Sequence, residues 1–144
     1  MGDDASETPS AQPMGAVRAM AVADRVTRSL GLVIERLAPG EAMARMTVSA
    51  AMVNGHALAH GGYIFLLADT AFAYACNTRG ATLASAAEIV FVRPVSEGEE
   101  LVAEARERVR FGRSGVYDVT VRGVGGDVVA EFRGHSRPLR SPAE

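Results

Sequence analysis

The residues best suited to chemistry fall between Asn54 and Gly80, in the stretch NGHALAHGGYIFLLADTAFAYACNTRG. It holds a lone carboxylate, Asp69, a glycine pair, Gly61-Gly62, and the polar residues Asn54, His56 and His60 just ahead of the pair. Asp69 stands between Ala68 and Thr70 in an otherwise apolar run, with no cation from Gly61 to Thr78. Burying a lone carboxylate costs several kcal/mol unless a partner or a proton neutralises it. Asp69 is therefore either a structural residue, bonded to backbone or to an Arg from elsewhere, or a reactive one. A reactive carboxylate can act as a general base or as a nucleophile. The glycines add a second capacity. At a helix start, unpaired backbone N–H groups and the positive end of the helix dipole meet an incoming oxygen, and glycine lets that oxygen come close.

Tyr63 to Cys76 is too long for a strand and apolar on every side apart from Asp69 and Thr70, which predicts a buried helix ended by the Asn77 to Gly80 signal. Ala50 to His60 has no period and reads as a shaped loop feeding that helix. Upstream, Met14, Val17, Met20, Ala21, Val26 and Leu30 recur at helical spacing, so Pro13 to Leu30 is expected to be one amphipathic helix closed by Gly31. Leu32 to Leu37 and Ala42 to Ser49 read as strands joined by a Pro39-Gly40 turn. Four strand-like segments follow: Leu83 to Val92, Glu99 to Arg110, Gly115 to Arg122 and Val128 to Arg137. Their short connections predict antiparallel neighbours. One helix that is apolar all round and about six strands predict an α+β fold, an antiparallel sheet wrapped around one long buried helix, plus an N-terminal helix. Residues 1–12 are expected to be a disordered tail, and 13–140 a single domain.

Composition narrows the chemistry. The 144 residues, 48% of them hydrophobic, suit one domain with a real core. No apolar run reaches membrane-spanning length, because Asp69 interrupts the longest, and the N-terminal residues lack the basic and apolar regions of a secretory signal. With Cys76 the single cysteine, no internal disulfide forms, and a cytoplasmic location is expected. A net charge of −2 argues against nucleic acid as a partner. All basic residues are Arg, which removes Schiff-base chemistry and the phosphate-binding lysine of a P-loop. His56 and His60 are four residues apart but have only His135 for company and no acidic cluster, so no metal site is expected. Gly112 to Gly115 and Gly123 to Gly126 read as turns, and Cys76 as inert packing.

The run from Asn54 to Gly80 resembles the signature of the phenylacetic-acid-degradation acyl-CoA thioesterases, which have the hotdog fold. The segments FVRP (Phe91 to Pro94), GVYDV (Gly115 to Val119) and EFRGHS (Glu131 to Ser136) extend the likeness, which spans about Val17 to Ser136. The resemblance implies hydrolysis of acyl-CoA thioesters, of phenylacetyl-CoA or hydroxyphenylacetyl-CoA type, in aromatic catabolism. It implies no cofactor, and a homodimer with shared active sites that pairs into a homotetramer. It places the general base or nucleophile at Asp69, the carbonyl-polarising N–H at Gly61, and a positioning role at Asn54. His60, in the His60-Gly61-Gly62 sequence, belongs to the same set and is read as fixing the loop. Gly62, Thr70, Ser85, Arg93 and Arg113 form the expected substrate-facing set. Ser85 is the nearest match to the strand hydroxyl that holds water in relatives, and Arg93 and Arg113, with Arg79, Arg110 and Arg137, are candidates for the phosphates of coenzyme A. Tyr63, Phe65, Phe72 and Tyr74 are candidates for the acyl pocket. A hotdog hydratase or dehydratase and a non-catalytic acyl-CoA-binding module are the rival readings.

Thioester hydrolysis suits so small a kit, because a thiol of pKa around 8.5 leaves readily as thiolate. Gly61 and Asp69 are eight residues apart, and a helix rises about 1.5 Å per residue, so they lie roughly 12 Å apart. One helix cannot bring both to one carbonyl. If both act, each site takes one group from each of two subunits.

Overall fold

The structure is a computed structural model and describes residues 11–140. Most of the expected tail, residues 1–10, lies outside the described residues, while Ala11 and Gln12 open the first helix. The elements are α1 (Ala11–Ala23), α2 (Arg25–Ser29), β1 (Val33–Ala38), β2 (Glu41–Thr47), α3 (Gly61–Asn77), β3 (Thr82–Phe91), β4 (Glu100–Phe111), β5 (Ser114–Gly123) and β6 (Val128–Pro138). The single N-terminal helix expected over Pro13 to Leu30 is in fact two. Asp24 breaks it by taking an extended conformation and capping α2, its carboxylate accepting from the Thr27 backbone N–H at 3.1 Å and from the Thr27 hydroxyl. Asp competes with the helix backbone in an interior turn and favours a cap. Gly31, at φ +73°, ends the pair as expected.

The six strands form one antiparallel sheet in the order β1-β2-β4-β5-β6-β3. Adjacency through short connections holds for β4-β5-β6 and fails for β3-β4, where β3 pairs β6 and β4 pairs β2. The segment between β3 and β4 is long enough to cross the end of the sheet. It is pinned on the way, with Val95 buried and its carbonyl accepting from the Ala59 N–H at 2.7 Å.

Alternate residues of β2, β4 and β5 are buried beneath α3, many of them as small as Ala42, Ala44, Ala103 and Ala105. Phe72 lies over Gly134 of β6, where an added β-carbon would stand 2.8 Å from the ring. The same ring packs against Tyr117 and Phe132, each with centroids 5.7 Å away. The C-terminal end of α3 is tied down by polar contacts. Thr78 Oγ1 accepts from the Gly40 N–H at 2.8 Å, Arg79 pairs with Glu107 at 3.0 Å, and Asn77 exchanges two hydrogen bonds with the backbone of Thr82. Strand β3 forms one edge of the sheet and carries a bulge at Ser85, where the register against β6 shifts between Ala84 and Ala86.

Candidate active site

The loop before α3 is closed by Asn54, whose Oδ1 accepts from the N–H groups of His56 at 2.8 Å and Leu58 at 3.2 Å around Ala57, which has φ 62°. The His60 N–H donates to the Met52 carbonyl at 2.7 Å, which fixes the residue that caps α3. His60 Nδ1 accepts from the Gly62 N–H at 3.0 Å, and its carbonyl accepts from the Tyr63 N–H at 2.9 Å. The Gly61 N–H alone is passed over and has no acceptor among the described residues. It sits at the positive end of the helix, beside a cavity of about 360 Å³ lined by Asn54, Ile64, Phe91, Arg93 and Pro94. A β-carbon at Gly61 would stand 3.0 Å from Cζ of Phe91, so glycine keeps this approach open.

Asp69 lies two turns further along α3, half-buried, with no hydrogen bond or ion pair among the described residues. Burial pushes its carboxyl above the ordinary aspartate range. A structural role requires a partner, and none of the described residues supplies it. Two cavities open on Asp69, one walled by Asp24, Thr70 and Tyr74, the other by Phe72, Cys76 and Leu83. The Thr70 hydroxyl donates to the Leu66 carbonyl at 2.7 Å, so its proton is held by its own helix. Burial pushes the Cys76 thiol up to about 11, and its sulfur accepts from the Thr82 hydroxyl at 3.0 Å, consistent with inert packing.

The predicted residues thus gather at two places. Asn54, His60, Gly61, Gly62 and Arg93 cluster at the start of α3, and Asp69 and Thr70 lie near its middle. Ser85 occupies the bulge, exposed, with its hydroxyl donating to the His135 carbonyl at 3.1 Å. Arg113 is exposed in the turn between β4 and β5 and lines neither the cavity at Gly61 nor the two at Asp69. Arg93 is engaged by Asp127 and Glu99 and donates to the Pro94 carbonyl. Glu88 stands with Asp118, Glu131 and Arg133 on a different cavity from Asp69. Of the expected acyl-pocket residues, Phe72 is core, Tyr74 is buried with its hydroxyl on Asp24 at 2.8 Å, and Phe65 packs edge-on to Phe132. Sequence reasoning missed the packing of Phe91 on Gly61 and the place of Met20 beside Asp69; Met20 carries a helical-spacing signal that marks it only as one of several apolar residues on a face.

A half-buried carboxylate without a partner can serve as a base or a nucleophile, and a free N–H at a helix start can donate to an oxyanion. Known proteins resemble the chain in sequence and in fold. Residues 56–130 match the Thioesterase superfamily. The acyl-coenzyme A thioesterase PaaI of Escherichia coli is 46% identical over 117 residues, which cover 81% of this chain and 84% of that protein. A putative esterase of Deinococcus radiodurans is 41% identical over 107 residues, 73% of each chain. The solved structure of the E. coli PaaI protein from the phenylacetic acid degradation operon superposes with a TM-score of 0.86 at 41% identity, covering 93% of this chain and 98% of that one. With the hotdog sheet and helix, the unpaired helix carboxylate and this degree of likeness over most of its length, the chain belongs to the thioesterase superfamily, in the company of the E. coli acyl-coenzyme A thioesterase PaaI.

Proposed function

We propose that the protein hydrolyses acyl-CoA thioesters to the free acid and coenzyme A, with arylacetyl groups such as phenylacetyl or hydroxyphenylacetyl as the acyl part. The observation that carries this reading is Asp69, half-buried and unpaired among the described residues, on a helix whose first amide is free. A module that only bound acyl-CoA would have no use for so costly a carboxylate. Asp69 takes the proton of an attacking water, or attacks the carbonyl itself, while a Gly61 N–H receives the oxygen as charge builds on it. The thiolate then departs without an acid. His60 holds the Gly62 amide, and so leaves the Gly61 amide to point at substrate.

The two groups come from different subunits in this reading. Strand β3 ends the sheet with its second edge open, and Leu83, Val90 and Phe91 on it are exposed while Glu88 is its one charge. A long apolar edge invites a partner strand, whereas the opposite edge, β1, carries the charged pair Glu35 and Arg36. The C-terminal end of β3 touches Gly61 through Phe91, and its N-terminal end, at Thr82 to Ala84, borders the Asp69 cavity. Antiparallel pairing of two β3 strands about a two-fold axis sets the one end beside the other. It supplies the Gly61 amide of each subunit to the Asp69 of its mate, and the tetramer joins two such dimers. No helix among the described residues is long and apolar enough to cross a membrane, and we place the enzyme in the cytoplasm with its acyl-CoA substrate.

The test is thiol release from phenylacetyl-CoA, hydroxyphenylacetyl-CoA and a short aliphatic acyl-CoA by wild type and Asp69→Asn. The expected loss in kcat is roughly 10²- to 10⁴-fold with KM little changed. Equal, negligible rates in both proteins would make this a binding module.

A further inference from the structure

The two cavities that open on Asp69 measure about 340 and 390 Å³, each in the range that ligand sites occupy. Three residues belong to the walls of both: Met20, Asp69 and Ala73. Asp69 and Ala73 are one turn apart on the same face of α3, whereas Met20 comes from α1. Ala73 offers only a methyl group. Asp69 is the proposed base, so Met20 is the one long side chain lining both spaces to which the proposed chemistry gives no role.

Met20 is held in place from both directions. Val17, one turn earlier in α1, is fully buried in the core. Asp24, just past the end of α1, accepts the Tyr74 hydroxyl at 2.8 Å as well as the two groups of Thr27. Tyr74 lies on α3, five residues beyond Asp69. The same helix that carries the carboxylate thus anchors the segment that carries Met20, which fixes one relative to the other.

We propose that Met20 is a specificity-determining residue, dividing the acyl-accepting space over Asp69 into two compartments, and that the hydrogen bond from Tyr74 to Asp24 positions it there. The proposal rests on the thioesterase reading. An unbranched thioether yields to a flat or kinked acyl group more easily than a branched side chain does, so the partition is adjustable but sets an upper size. Truncation to Ala joins the compartments, and replacement by Phe fills more of both.

The experiment measures kcat/KM for wild type, Met20→Ala and Met20→Phe on acetyl-, butyryl-, phenylacetyl- and naphthylacetyl-CoA. Met20→Ala is expected to raise the ratio of the bulkiest to the smallest substrate by about tenfold, the effect of adding or removing a methylene or more of pocket space. Met20→Phe is expected to move the ratio the other way, and Tyr74→Phe to move it in the direction of Met20→Ala through KM. An unchanged ranking, a uniform loss on all four substrates, or the same direction of change in both Met20 variants overturns the proposal while wild-type turnover leaves the thioesterase reading standing. Absence of wild-type turnover on every acyl-CoA would overturn that reading, and this one with it.

Discussion

Asp69 and Asp24 share a cavity and live in opposite electrostatic conditions. For Asp24, burial raises the carboxyl pKa, but hydrogen bonds from Thr27 and Tyr74 and the charge of Arg28 outweigh it, so the net shift is downward. For Asp69, burial acts alone and the shift is upward. A group whose pKa is higher in the folded chain than in the unfolded one favours folding when protonated. That contribution is full below the unfolded value and is lost as pH rises through the raised folded value. The ionised form of Asp69 is thus a burden on the fold. Asp69→Asn, which keeps the shape and removes the charge, is expected to hold or raise the unfolding midpoint at pH 7 while kcat falls as predicted above, as thermal melts and thiol-release assays will show. A lower midpoint would mean that Asp69 has a stabilising partner. The acid limb of kcat/KM against pH is expected to inflect above the 3.8 of an unperturbed aspartate, because only the ionised form accepts a proton.

Among the elements, the seat of α3 on the sheet matters most to the geometry, since one helix carries both reacting groups. Phe72 reaches the sheet only because Gly134 has no side chain. Gly134→Ala would push a β-carbon into the ring, and is expected to destabilise the protein by about 1–3 kcal/mol in urea unfolding. Gly125→Ala, in a turn with nothing within 4 Å of the added carbon, is the matched control and should change stability by less than about 0.5 kcal/mol. The helix itself was legible in the sequence because its signal is local: a long apolar run, a glycine pair before it and a lone charge inside it. The strands were legible for the same reason, to within a residue or two at each end. The break at Asp24 was not, because apolar spacing continues across it and the cap depends on where Thr27 and Tyr74 come to lie. Nor was the strand order, because consecutive strands with no helix between them suggest a hairpin, and the crossing from β3 to β4 shows only in the long-range strand pairings. Asn54 shows how the site divided. Its position was readable, and its Oδ1 contacts within the loop emerged only from the fold.

At the scale of the whole molecule, the two-fold arrangement makes a prediction that no property of a single subunit can mimic. Asp69→Asn and Gly61→Ala subunits are each expected to be nearly inactive alone. Mixed and allowed to exchange, half of the dimers become heterodimers with one wholly wild-type site, which restores roughly a quarter of the wild-type activity. No recovery despite exchange, followed by mass-tagged subunits in native mass spectrometry, would show that each subunit carries a complete site. One feature of the edge strand bears on this arrangement. Thr82 bonds Cys76 of α3 and Phe91 packs on Gly61, so both ends of β3 face the helix. Yet 82 is even and 91 is odd, and in a regular strand residues of opposite parity point to opposite sides. The extra residue at Ser85 switches the count midway, so that even numbers face the helix before it and odd numbers after it. Deleting this one residue would restore strict alternation and turn one end of β3 away from α3, parting the strand from either the donor or the base.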